Sequence, residues 1–142
     1  MRDLRFRVWD KKNKNFSSKD GCNLHGEVFF LFGVGALKPN DDRSTFDYLN
    51  DVEFHQFTGC VDVDGKEIYE GDIIESMFSD ETPCRHLIWF SDASFVAVQT
   101  CNSDWCNGMG KLSQQWLTGC EKRVIGNIYE NPELDVWNHD YL

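Results

Sequence analysis

The stretch DGKEIYEGDII, residues 64–74, holds the densest group of side chains that could do chemistry, with four acids and two glycines. Glu67, Glu70 and Asp72 could supply a carboxylate pair for hydrolysis if one of them sat in an apolar pocket that raised its pKa. Three of the four acids, however, flank the glycines, and Asp-Gly pairs are typical of tight hairpin turns. The spacing therefore favours two turns whose acids face water, with a type I′ turn at residues 64–65.

Cysteine is the second residue type whose side chain could do chemistry. The six cysteines lie at positions 22, 60, 84, 101, 106 and 120. Disulfide bonds need an oxidising compartment, and the N-terminal segment has no apolar run of signal-peptide length, so we expect free thiols. A zinc site could use Cys101, Cys106, Cys120 and His86, but the sequence lacks the two short cysteine pairs of a zinc knuckle. We predict no bound metal and no cofactor, although spacing alone leaves the three cysteines open as ligands.

Charge is divided unevenly along the 142 residues, whose net charge is −10. Residues 1–58 carry nine Lys or Arg and nine Asp or Glu, whereas residues 59–142 carry five against fifteen. Nucleic acid is disfavoured as a partner because its phosphates would repel this acidic body. A membrane is disfavoured because no window approaches the roughly 18 apolar residues of a span. The basic N-terminal edge could dock onto an acidic surface or simply solvate an exposed hairpin.

Alternation of apolar and polar residues predicts an all-β, mainly β-strand protein. The clearest candidate strands are LRFRVWD, VEFHQF, CRHLIWF, SFVAVQT and RVIGNIY, with a further apolar run at residues 27–37. We expect a short helix opened by Ser44, a helical turn or edge strand at residues 111–117, and a bulge or close backbone approach at Gly126. The predicted domains are a β-rich N-terminal extension (1–58), a small barrel (59–135) and a tail (136–142).

Aromatic residues near loops are the main candidates for contact with a partner. Tyr69, Trp89 and Trp105 lie in or beside predicted loops, and Trp105 occupies the glycine-bearing loop CNSDWCNGMG. Aromatic side chains often dominate the energy of protein interfaces, but large rings also fill the cores of small barrels. We predict these three as binding residues and expect Trp89 or Trp105 to be partly exposed.

Three blocks of the sequence resemble the YopX family of bacteriophage and prophage proteins. They are FRVWDK at residues 6–11, QFTGCVDVDGKEIYEGDII at 56–74 and VIGNIYENPEL at 124–134. The chain departs from the family pattern at Val8, Cys60 and Ser94, where alanine, leucine and glycine are usual. The resemblance implies an SH3-type barrel in the C-terminal part, homo-oligomers, a phage-encoded origin and the cytoplasm of a bacterial host. It implies no reaction, because the family has no assigned active site.

These observations favour a non-enzymatic, homo-oligomeric binding or adaptor protein with a phage or host protein as its partner. The fifteen acids of the C-terminal part raise the alternative of an acidic decoy that inhibits a host nucleic-acid-binding protein. A small hydrolase-like enzyme that uses Glu67, Glu70 and Asp72, with His86 nearby, is a further alternative. That enzyme would need Glu70 and Asp72 to point into a shared pocket.

Overall fold

The computed structural model describes residues 5–16, 52–77, 83–101 and 108–135, and these ranges are mainly β, which confirms the all-β class. The strands are β1 (Phe6–Asp10), β2 (Asn15–Phe16), β3 (Val52–Val61), β4 (Glu67–Tyr69), β5 (Asp72–Met77), β6 (Pro83–Ser91), β7 (Ser94–Gln99), β8 (Met109–Lys111) and β9 (Arg123–Asn127). The helices are α1 (Gln114–Gly119) and a 3-10 helix (Pro132–Leu134). The apolar run at 27–37, the helix predicted at Ser44 and the tail at 136–142 lie outside the described residues.

Two compact units make up the chain, Met1–Phe57 and Thr58–Leu142. In the N-terminal unit, β1 lies antiparallel between β2 and β3. Val8 and Val52 are buried and Phe54 packs against them, because strand alternation turns these apolar side chains toward one face. The alternation read from the sequence in β1 and β3 therefore describes this small core correctly.

Two arginines, Arg5 just before β1 and Arg7 within it, lie over aromatic rings of the same unit. The guanidinium carbon of Arg5 is 4.0 Å from the centre of the Phe57 ring, and that of Arg7 is 4.5 Å from the centre of the Phe16 ring. Cation–π contacts of this kind contribute roughly 0.5–1 kcal/mol at exposed sites. The basic edge therefore has a packing role inside its own unit.

The C-terminal unit is built on a five-stranded antiparallel sheet with the order β8-β7-β6-β5-β9. Strands β5 to β8 form a meander, and after α1 the chain returns so that β9 pairs with β5. The sheet is curled into a half-barrel, and its strand order is that of an SH3-type barrel. One face carries the main core, formed by Ile68, Ile74, Ile88, Phe95, Ala97, Leu112 and Leu117.

The hairpin turns reach their geometry in two different ways. In the β3–β4 connection Gly65 has a φ of +83°, but Asp64 has no positive φ, so the predicted type I′ turn is wrong. Asp62 Oδ1 accepts hydrogen bonds from Asp64 N and Lys66 N, both at 2.9 Å, which favours a three-residue loop that ends on glycine. The two-residue loop at 92–93 does have positive φ values, 48° and 58°, as a type I′ turn requires.

Gly126 in β9 lies where the backbone is crowded, and the prediction of a bulge or close approach is confirmed. The register between β5 and β9 shifts between Ile73 and Ile74, which marks a bulge. A Cβ atom at Gly126 would overlap Asn131 Oδ1 and would lie 3.0 Å from Leu134 Cδ1. Side chains from the segment that follows β9 therefore fill the space that a side chain at position 126 would need.

We expect Gly126→Ala to lower the free energy of unfolding by about 1–3 kcal/mol, because the added methyl group must displace that turn. Urea denaturation followed by tryptophan fluorescence measures the change. Gly119→Ala is the matched control, because a Cβ atom at Gly119 meets nothing within 4 Å. A Gly126→Ala variant as stable as the wild type would contradict the crowding.

Candidate functional site

The acids of residues 64–74 are used by the backbone turns around them. Asp72 is 1% exposed, and its Oδ2 accepts a hydrogen bond from Tyr69 N at 2.8 Å. Glu67 Oε2 accepts a hydrogen bond from the Tyr69 hydroxyl, also at 2.8 Å. The second turn is confirmed by a φ of +81° at Gly71. The expectation that these acids face water is wrong for Asp72, because its carboxylate is buried and accepts a hydrogen bond from the backbone amide of Tyr69.

His86, the histidine of the hydrolase alternative, lies in a different environment from these acids. Its ring meets the Trp116 ring edge-on, and its Nδ1 lies 3.9 Å from Cys84 Sγ. Neither contact involves an acid of residues 64–74. The side chain is therefore positioned by β6 and α1, and the described residues do not bring it together with the carboxylates.

Two of the three aromatic residues predicted to bind a partner are among the described residues, and they differ in exposure. Tyr69 on β4 is 5% exposed, and Trp89 on β6 is half-buried. Trp105 lies outside the described residues. Trp89 is thus the predicted binding residue whose ring reaches the described surface.

Trp89 shares a face of the sheet with apolar residues close to the sheet edge. The register aligns two rows across β6, β7 and β8, which are Leu87, Val98 and Met109, and then Trp89, Val96 and Lys111. Met109 is 59% exposed, and Val98 and Trp89 are half-buried, so this face meets solvent on the β8 side. We call Trp89, Val98, Met109 and Lys111 the β8 surface.

A buried lysine that the sequence patterns did not single out precedes β9. Lys122 is 2% exposed, donates a hydrogen bond to Ser76 Oγ at 2.8 Å, and has its Nζ 4.3 Å from the centre of the Trp116 ring. Within the described residues, no carboxylate pairs with this ammonium group. Burial lowers the pKa of Lys122, and the nearby Cys120 and Cys101 oppose that shift.

The position of Lys122 could have been found from strand alternation. Val124 packs against the main core, and continuing the alternation of β9 by one residue would place Lys122 on the same side. Lysine is rarely buried without a charged partner, so the residue type argued against a buried position for Lys122.

His86 shares the Trp116 ring with Lys122. The two rings of His86 and Trp116 are nearly perpendicular, with centres 5.2 Å apart. Burial lowers the pKa of His86 to about 4, and the positive charge of Lys122 adds to the shift. His86 is therefore neutral at pH 7 and acts there as a buried polar ring.

The four cysteines that the structure describes are of two kinds. Cys60, Cys101 and Cys120 are not disulfide-bonded, whereas Cys84 is disulfide-bonded. The prediction of free thiols is wrong at Cys84, because a disulfide also depends on the distance between two cysteines, which the sequence does not give. Among the residues that the structure describes, no group of three or more His, Cys, Asp or Glu is placed to hold a metal ion. Cys106, one of the four candidate zinc ligands, lies outside them.

Acid should destabilise the protein through His86. The unfolded state takes up a proton near pH 6.5 and the folded state only near pH 4, so the free energy of unfolding should fall as pH decreases through this window. The loss is expected to reach at most about 3 kcal/mol, and the effect is absent above pH 6.5. Urea titrations from pH 4 to 7 measure it, with His86→Gln as the comparison. Equal pH slopes in wild type and variant would contradict the burial of a neutral His86.

Lys122→Met should leave stability unchanged or raise it by about 1–3 kcal/mol, since methionine fills a similar volume and needs no solvation. Lys122→Ala is the matched control and should lose about 2–4 kcal/mol, because it leaves a cavity under Trp116. Thermal and urea unfolding distinguish the two variants. If the methionine variant were as unstable as the alanine variant, the ammonium group itself would be holding the unit together.

The half-barrel, its returning strand and the turn-holding acids define an all-β protein with an SH3-type unit. Residues 5–134 match the YopX protein family, and the chain belongs to this family. Among solved structures, it is similar to the protein EF1440 from Enterococcus faecalis, with a TM-score of 0.59 and 24% identity over 92% of this chain and 96% of that one. It is also similar to YopX from Bacillus subtilis, with a TM-score of 0.53 and 19% identity over 94% and 98%.

These likenesses to solved structures establish the fold and carry no activity with them. No match to the chain was found among curated proteins. In the part of the chain that the structure describes, no helix is long and apolar enough to cross a membrane.

Proposed function

We propose that the chain is a non-enzymatic protein-binding module that self-associates and presents the β8 surface to its partners. The observation that carries this function is the exposure of Met109, which is 59%, beside the half-buried Trp89 and Val98. An apolar patch at a sheet edge gains free energy when a partner covers it, at roughly 25 cal/mol per Å² of apolar area. Methionine adapts to different partners, and tryptophan is a common anchor of interfaces.

The proposal that the function is non-enzymatic is supported by the hydrogen bonds and ion pairs that the acids form within the fold. Several acids of the C-terminal unit bond to backbone amides or to side chains of the same unit, namely Asp62, Asp64, Glu67, Asp72, Glu75 and Glu130. Carboxylates that accept hydrogen bonds in turns and ion pairs are poor candidates for a shared catalytic pocket. The same engagement weakens the acidic decoy, which requires acids arranged as a continuous outward stripe.

The phage or prophage origin and the bacterial cytoplasm, both implied by the family resemblance, complete the proposed function. The partner is then a protein of the phage or of its host. Nucleic acid does not fit, because the chain carries a net charge of −10 and phosphates would be repelled.

Self-association through the β8 surface is tested with Met109→Lys, which should weaken it more than tenfold by placing a charge in the apolar contact beside Lys111. Sedimentation velocity over a series of concentrations measures the change. Phe90→Ser is the matched control, because Phe90 is also a large exposed apolar residue, at 46%, but its register position places it on the opposite face.

The control should associate as the wild type does, because its contact with Phe95 lies away from the β8 surface. A wild type that stays monomeric at every concentration would contradict self-association. Equal association of the Met109→Lys and Phe90→Ser variants would instead place the contact elsewhere.

A further inference from the structure

The hydrogen-bond pattern of β8 fixes which of its backbone groups point away from the sheet. Gln99 N donates to Gly108 O at 2.7 Å, and Leu112 N donates to Phe95 O at 2.9 Å. In an antiparallel ladder every second pair is hydrogen-bonded, so Gly110, opposite Ala97, also turns its N–H and C=O toward β7. The N–H and C=O groups of Met109 and Lys111 therefore point outward.

This outer edge has little protection. No described strand pairs with it, because β8 is the terminal strand of its sheet. Gly108 and the three residues of β8 are all exposed, and this segment contains no proline. An edge with unpaired N–H and C=O groups is a template for another strand, and Lys111 is the one charged side chain that blunts it.

We infer that the outer edge of β8 pairs antiparallel with the same edge of a second copy, around a two-fold axis at Gly110. Because this pairing depends on the self-association proposed above, it names the partner of that same surface. In this register Met109 of one copy lies opposite Lys111 of the partner subunit, and the same pair recurs on the other side of the axis. All the outward N–H and C=O groups of the two strands are then used, in four hydrogen bonds.

Three features of the segment favour a second copy over an unrelated strand. The two outward residues flank one central residue, so the edge is complementary to itself under a two-fold rotation, as an isologous interface requires. The central residue is Gly110, and a Cβ there meets nothing within 4 Å, so two backbones can approach closely at the axis. Each lysine faces an apolar methionine and can lay its aliphatic stem along it, so no like charges are directly opposed.

The free energy of association comes both from the backbone hydrogen bonds of the β8 edge and from the apolar side chains of the β8 surface. Four hydrogen bonds at about 1 kcal/mol each would not offset the cost of association alone. The exposed Met109 and the half-buried Val98 and Trp89 lie on the same face and add apolar area at the junction. The pairing would join the two five-stranded sheets into one continuous sheet.

The register is tested by cysteine cross-linking of the full chain. Residues opposite each other in a non-hydrogen-bonded antiparallel pair have Cα atoms roughly 4.5 Å apart, within disulfide range. Gly110→Cys should therefore form a disulfide-linked dimer under a mild oxidant, beyond any cross-linking that the native cysteines give in the wild type. Lys111→Cys, one residue off the axis, should not. Preferential cross-linking of Lys111→Cys would overturn the register.

The edge itself is tested with Lys111→Pro, which removes an outward N–H without removing a ladder bond and is therefore tolerated at an edge strand. It should weaken dimerisation at least tenfold, whereas Lys111→Gln should associate like the wild type. Circular dichroism and urea unfolding confirm that both variants are folded. The edge pairing fails and the proposed self-association stands if the wild type associates, Lys111→Pro associates equally well, and Gly110→Cys forms no more disulfide-linked dimer than the wild type. If the wild type never associates, both fail.

Discussion

The carboxylate of Asp62 is the interaction on which the C-terminal unit depends most. Its Oδ1 accepts hydrogen bonds from Asp64 N and Lys66 N, and its Oδ2 accepts one at 3.1 Å from Val124 N, 62 residues along the chain. The side chain is 5% exposed, so an unmade bond would leave a buried charge unsatisfied. One residue therefore shapes the β3–β4 turn and anchors the first residues of β9, the strand that returns to β5.

The same device recurs in the other blocks that carry the family resemblance. Asp10 accepts hydrogen bonds from Lys12 N and Asn13 N after β1, and Asn127 Oδ1 accepts from Tyr129 N and Glu130 N after β9. In each case a short polar side chain satisfies backbone amides that the end of a strand leaves without partners. A turn-holding side chain thus lies in each of the three blocks, and acids of the motif richest in them hold its turns. The surface that we propose for contact lies at β8, where the sequence carries no such block.

Much of the fold could be predicted from the sequence because strands, tight turns and crowded glycines leave local signals. Alternation located β1, β6, β7 and β9, and Gly126 was expected to mark a bulge or a close backbone approach, of which the bulge is present. The type of the β3–β4 turn could not be predicted from its Asp-Gly pair, because it is decided by Asp62, two residues before that pair. Lys122 was missed for a different reason, since alternation pointed to the core but lysine is rarely buried without a charged partner, and its contacts with Trp116 and Ser76 come from distant elements. The position of β8 at the edge of the described sheet depends on strand order, and strand order is a property of the whole sheet.

Amide hydrogen exchange of the wild type, measured in dilute and in concentrated solution, tests most directly whether the turn residues hold the fold while β8 makes the contacts. The amides of Lys66 and Val124, bonded to Asp62, should exchange slowly at both concentrations. Those of Met109 and Lys111 should exchange rapidly when dilute and become protected when concentrated. Rapid exchange at Lys66 and Val124, or exchange at Met109 and Lys111 that does not depend on concentration, would contradict this description of the protein.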